Sequence, residues 1–121
     1  TVQTTGNTGL DQELSGSDMC NTYTSGNLCS PSATATIPAA EQEYGTSTVA
    51  YGSGAPFSFA LSSTTPATLE TQIQKTTSTS TPNEDETYWG IAIPASITFA
   101  GSYTGENLYT AIMSDPLTWG P

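Results

Sequence analysis

The chain has 121 residues, with eleven acids against a single lysine, Lys75, no arginine and no histidine, for a formal net charge of −10. One cation among eleven acids cannot neutralise a run of phosphates, which argues strongly against nucleic acid and anionic membrane surfaces as partners, and no apolar run approaches the roughly 20 residues of a membrane span. The length implies one domain, residues 1–121, able to bury about two thirds of its unfolded surface.

In chain order, Val2 to Thr5 is strand-like, and Gly6-Asn7-Thr8-Gly9 is a turn because Gly and Asn tolerate positive φ. Leu10 to Ser15 reads as a strand with Leu10, Gln12 and Leu14 on one side and Asp11, Glu13 and Ser15 on the other. Pairing Val2 with the Leu10 to Leu14 face predicts a first hairpin. Ser17 to Ser32 is a polar excursion holding both cysteines, Cys20 and Cys29. They are read as a disulfide closing the Asn21 to Leu28 loop, which the chain-entropy picture values at roughly 2–3 kcal/mol. The alternatives are two free thiols or half of a metal site, and with no histidine or further cysteine zinc lacks soft ligands.

Ala33 to Ile37 is a short strand before Pro38, and Glu41 to Gly45 is one helical turn or an exposed connection. Thr48 to Tyr51 and Pro56 to Ser62 read as strands, with Phe57, Phe59 and Leu61 alternating inward. Leu69 to Gln74 alternates again and is read as a strand. Thr76 to Asn83 has no side chains able to form a core, and is a surface loop or an O-glycosylated patch.

The remaining chain is organised around Tyr88 to Met113. Thr87 to Ile93 places Trp89, Ile91 and Ile93 on one face, and Pro94 stops the ladder. Alternation resumes from Ser102 to Ile112, with a bulge expected at Gly105 to Asn107. The two stretches are expected to form a long final hairpin. The predicted core is Leu10, Leu14, Val49, Phe57, Phe59, Leu61, Trp89, Ile91, Ile93, Tyr103 and Tyr109. Ser114 to Pro121 follows as a terminal extension carrying Leu117 and Trp119, and an exposed Trp beside Leu117 points to a contact site.

The motif W-x-I-x-I-P from Trp89, followed by A-G-S-Y-T-G-x-x-x-Y-T-A from Ala100, resembles the ending of immunoglobulin-like β-sandwich domains in prokaryotic secreted and surface proteins. Thr5 to Met19, with its T-G-N turn and L-D strand, is similar to the front of the same domains. The resemblance implies an all-β, Ig-like antiparallel sandwich of about seven or eight strands, as the strand spacing also suggests. In that family one more strand precedes the T-G-N turn strand. Here it is missing or very short, which predicts that one sheet edge is left unpaired.

Chemistry is sparse. A hydroxyl nucleophile needs a base, and histidine does not occur. Lys75 reads as a solvated strand-end residue. The run Glu84, Asp85 and Glu86 reads as solvated charge, with calcium as the one cation these oxygens suit. The expectation is therefore a protein without enzymatic activity, extracellular at the cell surface: a subunit of a pilus-like filament or surface layer, or an adhesin stalk. It would self-associate head-to-tail by donating a terminal strand, with Val2, Leu117 and Trp119 at the contact. Other surface proteins or glycans are further partners, and a carbohydrate-binding module is the alternative function.

Overall fold

The computed structural model describes residues 1–24, 28–48, 59–60, 65–78 and 81–121. Within them the chain is all-β. In order the strands are β1 (Val2–Thr4), β2 (Leu10–Gly16), β3 (Met19–Cys20), β4 (Tyr23–Thr24), β5 (Leu28–Cys29), β6 (Thr36–Ile37), β7 (Gln42–Gly45), β8 (Phe59–Ala60), β9 (Ala67–Ile73), β10 (Asn83–Asp85), β11 (Tyr88–Ile91) and β12 (Asn107–Met113). Single 3-10 turns occupy Ala39–Glu41 and Pro116–Thr118. All the strand pairings are antiparallel. Among the described residues, then, there are more and shorter strands than the seven or eight expected.

Two three-stranded sheets carry the core, in the orders β12-β2-β9 and β11-β7-β8. Leu14 at the centre of β2 and Leu69 of β9 pack on Tyr44 of β7, and all three are buried. Directly opposite residues on paired strands share a face. Tyr109 lies opposite Leu14, and Trp89 opposite Tyr44. The three rings meet between the sheets: Trp89 is 5.7 Å from Tyr44 and 5.4 Å, edge-on, from Tyr109. Among the described residues Cys20, Ile37, Ala39 and Ile73 are the other buried apolar side chains.

Several expectations are corrected. Val2 pairs with Asp85 of β10 rather than with β2, so the first hairpin does not form. Oγ1 of Thr76 donates to the Thr4 carbonyl and the Thr76 N–H to the Gly6 carbonyl, tying the segment after β1 away from β2. The expected final hairpin also separates: β11 pairs with β7 and β12 with β2, in different sheets. Glu41 to Gly45 is neither a helical turn nor an exposed connection, because most of it is β7, with Tyr44 buried.

The core differs accordingly. Trp89 (37 % exposed) and Tyr109 meet between the sheets but remain substantially exposed, because β11 and β12 are edge strands, and Ile91 and Ile93 are exposed rather than core. Leu10 and Tyr103 are half-buried. Val49, Phe57 and Leu61 lie outside the described residues, as do most of the strands expected at Thr48 to Tyr51 and Pro56 to Ser62; Phe59 contributes the backbone of β8.

Two ladder irregularities shape the fold. Ser17 bonds Glu106 and Cys20 bonds Thr104, so the register shifts by one residue here, but the extra residue is on the Ser17 to Cys20 side and not in Gly105 to Asn107 as expected. The other lies in β9, where Leu10 opposes Ile73 but Gln12 opposes Leu69. Gln72 takes a left-handed backbone there (φ 51), a conformation that costs a non-glycine residue on the order of 1 kcal/mol or more. The buried Asp11 carboxylate holds it by accepting the Gln72 N–H at 2.7 Å.

The Cys20–Cys29 disulfide is present, with Cα atoms 5.8 Å apart. Cys20 is buried and lies opposite both Thr36 and Thr104, so the bond ties the β4-β5 hairpin to the sheet region.

Candidate functional site

The acidic run does not converge. Glu84 accepts a hydrogen bond from Nε2 of Gln3 at 2.7 Å, Asp85 from the Glu86 N–H, and Glu86 from the Tyr88 hydroxyl at 2.9 Å. That last bond, with the Glu86 charge beside it, raises the Tyr88 pKa above the ordinary tyrosine value. A polar cleft of about 300 Å³ runs between Thr71–Gln74 and Asn83–Asp85. Among the described residues no three His, Cys, Asp or Glu side chains group as a metal site would need. Lys75 is tied by its backbone, donating to the Trp119 carbonyl and accepting from Nδ2 of Asn83.

Both terminal segments read as donor strands are used within the chain. Val2 is in the β1-β10 ladder. Trp119 donates from Nε1 to the Ser114 carbonyl at 3.1 Å, while the Ser114 N–H bonds the Gly9 carbonyl. Gly9 makes this docking possible: a Cβ there would lie 2.6 Å from the Trp119 ring. Asp115 caps the last 3-10 turn by accepting the Leu117 N–H, and the Leu117 side chain stays in solvent, 92 % exposed. β2, the strand after the first turn, is not an edge either, since it lies between β12 and β9; the three-residue β1 pairs with β10 alone.

The longest regular edge among the described residues is at β12. Its pairs with β2 run from Asn107↔Gly16 to Met113↔Leu10 without interruption. The same register continues at both ends, where Ser17 donates to the Glu106 carbonyl and Ser114 to the Gly9 carbonyl. Hydrogen-bonded and non-bonded pairs alternate in an antiparallel ladder. Leu108, Thr110 and Ile112 therefore bond β2, and Asn107, Tyr109, Ala111 and Met113 turn their N–H and C=O groups outward. Among the described residues nothing pairs with that outer side.

β12 is also apolar on both faces. Leu108 is 60 % and Met113 63 % exposed, Tyr109 is half-exposed, and Ile93 and Phe99 are other exposed apolar groups. It carries no charge in a chain of net charge −10. Edge strands are normally protected by charge, proline, bulges or shortness. β9 has its bulge and Glu70, and β11 is four residues long with Pro94 just beyond it. β12 has seven regular residues and none of these devices.

No family model, no curated protein and no solved structure matches this chain. The site thus rests on its own geometry. Leu108, Ala111 and Met113 are not among the residues that the sequence reading marks as contacts. A signal for them exists: apolar residues at both parities of an uncharged seven-residue run describe a strand that needs cover on two faces and one edge. Among the described residues, no helix is long and apolar enough to cross a membrane.

Proposed function

We infer that the chain is an extracellular structural subunit of a cell-surface filament, surface layer or adhesin stalk, associating with its neighbours by β-strand addition at β12. The observation that carries this reading is the uninterrupted row of outward N–H and C=O groups along β12, flanked by exposed apolar side chains. Such an edge is a template for another strand. The disulfide supports an oxidising compartment. The opposed β12-β2-β9 and β11-β7-β8 sheets, with aromatic rings between them, support the immunoglobulin-like sandwich that the sequence motifs suggest.

The carbohydrate-binding alternative needs a flat row of open aromatic faces. Here Trp89 is edge-on to Tyr109, and Phe99 edge-on to Tyr103. Rings turned against one another favour the structural role. Negative-stain electron microscopy and sedimentation at high protein concentration and high salt test it. Assembly of the intact chain, lost in the edge-strand variant Ala111→Pro, is the expected result. A strictly monomeric intact chain that binds glycans would replace the reading.

A further inference from the structure

We propose that the strand added at β12 is β12 of a second copy, paired antiparallel about a two-fold axis at Thr110, so that the contact is isologous and its product a dimer. The inference rests on the assembly reading above and adds the identity and register of the partner; because a two-fold contact closes on itself, the β12 pair is the dimeric building block, and a filament or layer needs a second, different contact between such dimers.

Self-pairing follows from which groups point outward. A two-fold axis at Thr110 sets Tyr109 opposite Ala111 and Asn107 opposite Met113 of the other copy, and the reverse. All four outward residues of each strand then lie in hydrogen-bonded pairs. Moving the axis to Tyr109 or Ala111 leaves one of the four without a partner, so Thr110 is the register that satisfies the edge most fully. The side chains agree with it. Leu108 meets Ile112 on the outer face, and Thr110 meets Thr110, a β-branched pair suited to a ladder.

Charge selects the occupant. A strand bearing acids would meet an acidic protein, whereas β12 brings no ionised group to the ladder from either copy. Within the ladder repulsion arises at its ends, where Glu106 of each copy comes within one position of Asp115 of the other, and Glu13, opposite Thr110 on β2, adds an acid one strand back in each copy. Pairing is therefore expected to strengthen with salt. One strand edge about 23 Å long places the contact among small interfaces, below roughly 1,200 Å² in total, which are weak and transient. Dimers are expected at high concentration rather than on dilution.

The experiment is cysteine cross-linking of the intact chain under mild oxidation at high concentration and salt. In the proposed register Thr110 faces its own equivalent across a non-hydrogen-bonded pair, with Cα atoms about 4.5 Å apart, inside the range of about 4.4–6.8 Å that a disulfide needs. Thr110→Cys should give a reducible dimer as its main product, and Thr68→Cys, exposed on β9, should not. Ala111→Pro, whose lost N–H points outward and leaves the β2 ladder intact, should stay folded and abolish the Thr110→Cys dimer. If the intact chain assembles and Ala111→Pro prevents it, but Thr110→Cys cross-links no better than Thr68→Cys, β12 is used heterologously: this inference is overturned and the assembly reading stands. If the intact chain never associates, both are overturned.

Discussion

Truncating Leu14 to alanine tests whether the two sheets meet where the structure puts them. Leu14 has no exposed surface and touches Tyr44 and Leu69. Removing its outer carbons forfeits about 2.4 kcal/mol of transfer free energy at about 0.8 per methylene. The unfilled space raises the cost to about 3–4 kcal/mol, within the span seen for buried leucines. A domain of this size holds about 5–15 kcal/mol in all, so the variant should still fold. Its urea midpoint should fall by about 1.5–2 M if the slope is near 2 kcal/mol per molar. Leu108→Ala is the internal control: the same atoms are removed from the exposed outer face of β12, and the loss should stay below about 0.5 kcal/mol in the monomer. Equal losses at the two leucines, or no shift for Leu14→Ala, would refute the assignment of faces on the central sheet.

Asp11→Ala should cost about 1–3 kcal/mol and expose the Gln72 amide to rapid hydrogen exchange, because that N–H loses its buried acceptor. Gln72→Gly should instead be neutral or stabilising in thermal melts, since glycine adopts φ 51 without strain. Reducing the disulfide should lower stability by about 2–3 kcal/mol, and thiol titration of the denatured, unreduced protein should find no reactive thiol. Burial raises the Tyr44 and Tyr109 phenols above their usual value. The folded state therefore keeps those protons longer than the unfolded chain, and the stabilisation is complete below pH 10 and lost as pH rises beyond it. Melting temperature should fall on the alkaline side, and less steeply in Tyr44→Phe.

Strand positions were more legible in the sequence than strand partners. Alternation located β2, β9, β11 and β12 because side-chain period is a local property of each segment. Pairing is not local. Nothing in Val2 to Thr4 distinguishes Asp85 from Leu14 as a neighbour, and the hydrogen bonds that decide it come from Thr76, far along the chain. Tyr44 is hard to read as core because Glu41 and Glu43 both precede it, and the two acids make a largely buried four-residue strand look like a solvated connection. Trp119 was expected to lack a docking place within the chain. The space it uses lies over Gly9, a residue whose turn propensity was visible but whose missing Cβ gave no hint of a partner. An open edge was expected at the front of the fold; β2 is central there, and β12, bonded to β2 on one side, has no partner on its other side among the described residues.

Amide hydrogen exchange along β12, measured at low and high protein concentration, tests the assembly edge most directly. In dilute solution Tyr109, Ala111 and Met113 should exchange rapidly, while Leu108, Thr110 and Ile112 are protected by their bonds to β2. At high concentration and salt the first set should become protected as well, giving a strand bonded on both sides. Outward amides that stay equally fast at every concentration, or that are already slow in the dilute monomer, would contradict the account.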